Sequence, residues 1–243
     1  MVNSPSGGHS ARTPGPALAA VGIGTFTMAM DGSAVNAMLP VIGPSLQASF
    51  QTMQWLLLSY TLTLTALLLP GGRLGDAWGH KRTYLAGAGL FVLGALACAF
   101  APSAAWLITA RVAQGCGTAQ AVAVMPALLT EAFPASQRGQ ALGAGGAFTY
   151  LGLMAGPTVG GLLTESFGWR SLFLMSALTG LGLTLLANRV LEHGSTSMPG
   201  DGGGVRGFFA LFRIRAFTMA AISSGLHYMA VFGDRFKLPF YLI

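Results

Sequence analysis

Residues 71–81 read GGRLGDAWGHK, and residues 160–170 read GGLLTESFGWR. Both fit the pattern GG-x-L-x-acid-x-aromatic-G-x-base, displaced by 89 positions. What flanks these two turns decides the fold. Runs without Asp, Glu, Lys or Arg cover residues 13–30, 32–72, 83–110, 112–130, 139–164, 171–188 and 216–233. A membrane span needs about 20 predominantly apolar residues. The run 32–72 is too long for one span and breaks at the polar, proline-containing stretch 40–51. The run 83–130, interrupted only by Arg111, folds back at Pro102-Ser103, where proline ends a helix. Seven spans follow, near 17–39, 53–69, 83–101, 104–129, 140–163, 171–187 and 216–233. Their unbroken hydrophobicity predicts helices; barrel strands would alternate.

Composition agrees. The chain is 53% hydrophobic and 8% charged, against about 25% charged in a soluble domain. That argues against an ordinary soluble enzyme, and no HExxH, GxSxG or GxxxxGK[ST] pattern occurs. The net charge of +6 is explained by topology. Arg12, Arg73, Lys81, Arg82, Arg138, Arg189, Arg206, Arg213 and Arg215 fall in one set of loops, and Arg170 alone in the other. The positive-inside rule then places the N-terminus in the cytoplasm and leaves no charge to argue for nucleic acid. Trp55, Trp106 and Trp169 fall at outer helix ends, as an interfacial belt would.

The expected organisation is a mobile cytoplasmic N-terminus (1–16), a six-helix transporter bundle (17–187), a Gly-rich cytoplasmic linker (188–215) and a seventh helix (216–243) with the chain truncated there. The two GG turns lie on opposite sides of the membrane. That is what a 3+3 inverted repeat predicts, and such repeats serve alternating access. A signal peptide ahead of the first span is the alternative for the N-terminus. Cys98 and Cys116 read as packing residues; no metal site or cofactor is expected.

Two charges lie inside spans, where charge is costly and marks function. Asp31 sits about 21 Å from the cytoplasmic end of span one, and Arg111 about 10 Å from the outer end of span four. In a hydrocarbon core about 30 Å thick these depths coincide. Burial disfavours an ionised carboxylate and a guanidinium favours it, so a pair poised between the two can exchange a proton. A static ion pair fixing helix packing is the alternative. Gln114, Gly115 and Thr118 share the Arg111 face. Gln114 and Thr118 are candidate substrate ligands or interhelical hydrogen bonders, and Asn36 is a further candidate. Gly145, Thr149, Gly152, Gly156 and Gly160 form a small-residue stripe on span five, which Pro157 is placed to bend; Gly152, Gly156, Pro157 and Gly160 are candidate gating residues, a bent seam that seals or opens the central cavity, with ordinary close packing as the alternative. In the loop 72–82, Gly72, Asp76, Gly79, Lys81 and Arg82 are candidate gating residues, with Asp76 near a helix N-terminus and His80 a solvated loop residue. His227 is expected to pack within span seven.

These segments resemble a known family. GRLGDAWGHKR (72–82) is similar to the signature between helices two and three of the major facilitator superfamily. LITARVAQGCGTA (107–119) resembles its helix-four motif, with the arginine at Arg111. Gly143, Gly152, Gly156-Pro157 and Gly160-Gly161 resemble the helix-five motif of its drug:proton antiporters, and MDGSAVNAMLP (30–40) the first-helix motif of its fourteen-span multidrug efflux subfamily. The resemblance implies the N-terminal half of a multi-pass cell-membrane transporter exporting a small drug-like molecule or antibiotic in exchange for protons. Asp31 and Arg111 would couple protons, Asp76 and its basic neighbours would gate the cytoplasmic side, and the helix-five motif would favour export. Members have twelve or fourteen spans. The absent C-terminal half, or a second copy, is therefore expected as a partner beside the lipid bilayer. Two rival readings are a non-transporting remnant or half-transporter interaction subunit, and a seven-span photoreceptor with Lys237 as its retinal residue.

Overall fold

The computed structural model describes residues 14–191 and Met219. The described residues form six α-helices and no strand: α1 (Pro14–Ser45), α2 (Phe50–Trp78), α3 (His80–Ala99), α4 (Ala104–Ala132), α5 (Arg138–Phe167) and α6 (Arg170–Val190), with one 3-10 turn at Ala135–Gln137. The chain divides into two units, Met1–Ser197 and Met198–Ile243, and all six helices lie in the first. The seventh span apart from Met219, the linker beyond Leu191, residues 1–13 and His227 lie outside the described residues.

Among the described residues five helices are long and apolar enough to cross a membrane; α5 is the exception, because glycine replaces larger apolar side chains along it. The protein is an all-α, multi-pass membrane bundle. Its helices run further than the hydropathy limits suggest. α1 continues through Pro40 and Pro44, and α2 through Pro70. Proline is tolerated in membrane helices because neighbours re-satisfy the freed carbonyls. The break expected over 40–51 shrinks to residues 46–49, where Gln47 is left-handed at φ 49°. Ser49 caps α2 by accepting from Thr52 N at 3.2 Å, and Ser103 caps α4 by accepting from Trp106 N at 3.3 Å.

The GGRLGDAW stretch is likewise helical rather than loop, and only Gly79 breaks it. Gly79 has φ 94° and Gly168 has φ 80°. These two glycines stand at the same position of the two sequence repeats, with ψ 139° and 161°, a positive-φ extended region that suits glycine and would cost a side chain about 1–3 kcal/mol. Each closes its helix identically: Gly79 N donates to Gly75 O at 2.9 Å, and Gly168 N to Thr164 O at 3.0 Å. The equivalence extends to the bases two residues on. Lys81 Nζ, at the start of α3, donates to Asn188 O near the end of α6 at 2.9 Å. Arg170 Nη2, at the start of α6, donates to Ala101 O just after α3 at 2.9 Å. Each triplet therefore ties down the other's third helix.

Packing obeys the same exchange. α1 packs on α5 as α4 packs on α2; α3 on α4 as α6 on α1; α2 on α3 as α5 on α6; α1 on α2 as α4 on α5. Swapping α1–α2–α3 for α4–α5–α6 leaves this set unchanged. Directions are inverted, as Gly87 faces Ala121 while Gly94 faces Gln114, so α3 and α4 are antiparallel. Gly152, Gly156 and Gly160 face Phe26, Ser33 and Ala34 in turn, so α1 and α5 are parallel.

Two apolar clusters form the core, one at each end. Ala20, Val21, Tyr84, Ala88, Phe91, Val124 and Leu129 belong to the first; Val35, Met38, Ile42, Leu107, Leu172 and Phe173 to the second. Trp55 and Trp106 are half exposed, as an interfacial belt requires. Trp169 is not. It is 3% exposed, packs edge-on against Phe173 and carries the Arg170 guanidinium 4.2 Å above its ring.

Candidate functional site

Between the two apolar clusters the bundle encloses one charged pair. Asp31 on α1 is 0% exposed and Arg111 on α4 is 1% exposed. Arg111 Nη1 donates to Asp31 Oδ2 at 2.7 Å and to Gln114 Oε1, also at 2.7 Å. Gln114 Nε2 donates in turn to Asp31 Oδ2 at 2.9 Å. Carboxylate, guanidinium and amide thus form a closed triangle. Gln114 lies one helical turn from Arg111, on the same face. It is pressed into place because Gly94 brings the α3 backbone against it; a Cβ at Gly94 would lie 2.7 Å from Gln114 N.

The triangle leaves potential unused. Asp31 Oδ1 and Arg111 Nε are buried without a hydrogen-bond partner. An ion pair of this kind loses several kcal/mol per ion in desolvation, which Coulomb attraction offsets only with good geometry and further hydrogen bonds. Two atoms short of that condition make the pair a poor choice for stability alone and a good one for chemistry at Oδ1.

α2 supplies the residue that sequence reading missed. Tyr60 lies flat beneath the guanidinium, its ring centroid 4.0 Å from Arg111 Cζ. Its hydroxyl stands 3.2 Å from Thr118 Oγ1 and 3.4 Å from Met28 O. Thr118 Oγ1 donates to Gln114 O at 3.0 Å. A tyrosine in an otherwise apolar run was the available signal, but its depth matters only once α2 is known to run parallel to α4. Cys98 on α3 reaches Gln114 Oε1 at 3.8 Å.

The structure brings Asp31, Arg111, Gln114 and Thr118 together and leaves Asn36 apart. Asn36 is exposed on α1, its amide donating to Ser33 O at 3.4 Å.

The candidate gating residues separate into two groups. At the end of the bundle shared by the α2–α3 and α4–α5 turns, Asp76 sits in the last turn of α2, not at a helix N-terminus, with its side chain 74% exposed. His80 is no solvated loop residue. It opens α3, half-buried, with Nδ1 2.6 Å from Glu131 Oε1 on α4 and Nε2 3.4 Å from Asp76 Oδ1. Solvation failed as a reading because Glu131, at the far end of α4, was not known to reach it. Lys81 is buried against Asn188, Arg82 is exposed, and Gly72 is half-buried with nothing within 4 Å of where a Cβ would stand. Along α5, Gly152, Gly156 and Gly160 are buried on α1, where a Cβ at 156 would strike Ser33 Oγ and one at 160 would lie 2.9 Å from Ala34 Cβ. Pro157 points away from this seam and is exposed. Gly143, by contrast, has nothing within 4 Å of a Cβ. Among the described residues no group of three His, Cys, Asp or Glu side chains could hold a metal ion.

A family model described as Major Facilitator Superfamily matches residues 21–243. The chain is 41% identical over 160 residues to the Multidrug resistance protein Stp of Mycobacterium tuberculosis (strain CDC 1551 / Oshkosh), covering 65% of this chain and 30% of that protein. It is 34% identical over 180 residues to the Riboflavin transporter RibZ of Clostridioides difficile (strain 630), covering 72% and 40%. With the Methylenomycin A resistance protein of Streptomyces coelicolor (strain ATCC BAA-471 / A3(2) / M145) it shares 38% over 173 residues, covering 71% and 36%. The matches thus span less than half the length of these relatives. Fold, inverted triplets, signature turn and family match agree: the chain belongs to the Major Facilitator Superfamily.

Proposed function

We propose that this chain is the N-terminal bundle of an exporter that exchanges protons for a small drug-like molecule or antibiotic across the cytoplasmic membrane. One observation carries the reading: a fully buried Asp31–Arg111 pair whose carboxylate keeps Oδ1 unbonded. The names of the relatives, multidrug and antibiotic resistance proteins among them, support the substrate class.

Asp31 is the proton site. A proton arriving at Oδ1 cancels the carboxylate's charge and leaves the guanidinium held by Gln114 and Tyr60. The weakened pair lets α1 and α4, the first helices of the two triplets, separate. Gln114 and Thr118, released from the network, and Asn36, already exposed, then meet substrate. Asp76, Lys81 and Arg82 with the Gly72 and Gly79 segment hold the cytoplasmic side closed, and the α1–α5 seam at Gly152, Gly156 and Gly160 lets one helix slide on the other, with Pro157 on the outer side of α5 to bend it. Among the described residues Arg73, Lys81, Arg82, Arg138 and Arg189 mark one end of the bundle and Arg170 the other, which supports a cytoplasmic N-terminus. A second six-helix bundle, from further chain or from another copy, completes the cavity.

Everted membrane vesicles carrying the protein test this. With ethidium as probe, the wild-type chain dissipates an imposed pH gradient when the drug is added, and Asp31→Asn, inserted to the same level, does not. Equal drug-dependent proton flux in Asp31→Asn overturns the proton-site assignment, and no flux in a wild type supplied with its second bundle overturns the transport reading.

A further inference from the structure

The Tyr60 ring is used by nothing in that scheme beyond contact, yet the bundle is built around it. A Cβ at Gly32 would lie 3.0 Å from Tyr60 Cε1, and one at Gly115 3.0 Å from the Tyr60 carbonyl. Two glycines, on α1 and α4, therefore leave the space that lets α2 bring this ring under Arg111. The ring is 6% exposed, so its negative face meets the guanidinium in a desolvated setting, where a cation–π contact is strongest. Once Asp31 carries a proton, Arg111 has no counter-charge. What remains are Gln114 Oε1 at 2.7 Å and the Tyr60 face at 4.0 Å.

We propose that Tyr60 is a positioning residue of the proton site: its ring face holds and screens the Arg111 guanidinium, and so sets how tightly Asp31 binds a proton. The inference rests on the reading of Asp31 as the proton-exchanging group. Around Asp31, α4 presents Arg111, α2 presents Tyr60 and α3 presents Cys98 beside Gln114. α5 and α6 place their charges, Arg138, Glu165, Arg170 and Arg189, near the helix ends. The ring is thus the nearest group, besides Gln114, able to moderate the guanidinium's field. The sign follows. Removing the face leaves more of the positive field acting on Asp31, which favours the ionised carboxylate and moves proton uptake to lower pH. Removing the hydroxyl alone leaves the face in place.

Infrared titration of the whole chain in nanodiscs reads this without requiring transport. The carboxylic C=O band of protonated Asp31 is identified as the band lost in Asp31→Asn, and its intensity is followed against pH. Tyr60→Phe keeps the wild-type midpoint. Trifluorophenylalanine at position 60, equal in shape but with a depleted face, and Tyr60→Met move the midpoint acidward by about half a unit to one unit, a three- to tenfold loss of proton affinity. Because the fluorinated ring preserves packing, a Tyr60→Met variant that fails to assemble leaves the comparison intact. An unchanged midpoint with the fluorinated ring overturns the role of the face. A Tyr60→Phe shift as large as the fluorinated one assigns the effect to the hydroxyl and overturns it too. Failure of any band to depend on Asp31 overturns the proton-site reading beneath it, a result distinct from the other two.

Discussion

At the scale of single residues, the site is governed by what happens to a charge when its partner is removed. Asp31 has three ways to be satisfied: the guanidinium, the Gln114 amide and a proton. Arg111 has the carboxylate, the Gln114 carbonyl and the Tyr60 face, of which the carboxylate alone carries a counter-charge. The two deletions are therefore unequal. Arg111→Ala strands a buried carboxylate, a loss of about 3–5 kcal/mol for a broken buried pair. Protonation removes the stranded charge, so the deficit shrinks as pH falls. Asp31→Asn leaves the buried guanidinium without a counter-charge but keeps an amide oxygen for it to donate to. Thermal unfolding in detergent from acid to neutral pH checks both; a deficit in Arg111→Ala that stays constant with pH contradicts the account. Asp31 and Arg111 were legible in the sequence because a charge in an uncharged run is conspicuous and its depth follows from helix rise. Tyr60, Glu131 and the burial of Trp169 were not, because an aromatic or terminal residue acquires its role from a neighbour that only packing supplies.

At the scale of elements, α5 is long in glycine but not uniformly so, and space decides which glycines matter. At Gly152 a Cβ would meet Phe26 O, and at Gly156 it would meet Ser33 Oγ, with Met30 O 2.5 Å away; these are contacts with backbone or a short side chain that cannot give way. At Gly143 and Gly146 a Cβ meets nothing within 4 Å. Gly156→Ala should therefore push α5 off α1 and lower the melting temperature. Gly146→Ala, free of contact, gains about 0.5–1 kcal/mol of helix propensity and should raise it. Equal effects of the two alanines would mean that the seam is not a close backbone contact. The stripe itself was readable from steps of three and four. Helix ends were not, since prolines at 40, 44 and 70 and the GG of the signature turn read as breakers. Inside the bundle they are carried through, and a single positive-φ glycine does the turning.

At the scale of the whole bundle, the inverted repeat makes one prediction that no single element does. Lys81 caps α6 and Arg170 caps α3 in the same manner at opposite ends. Replacing Lys81 by Met should cost about 1.5–3 kcal/mol, the worth of a hydrogen bond to a charged group. Arg170→Met should cost less, as Arg170 is more exposed. The double variant should equal the sum, since sites this far apart do not couple; strong non-additivity in chemical denaturation would contradict two independent clamps. The symmetry was visible as eleven-residue repeats 89 positions apart, whereas the partner of each base, a carbonyl on another helix, has no sequence signal. The central claim is that a proton leaves or joins Asp31 when a drug-like molecule binds, and it is read most directly in weakly buffered solution with a pH indicator. Ethidium added to the purified wild-type protein assembled with its second bundle changes the bound-proton count, and added to Asp31→Asn in the same assembly changes nothing. Identical proton exchange by the two would contradict the account.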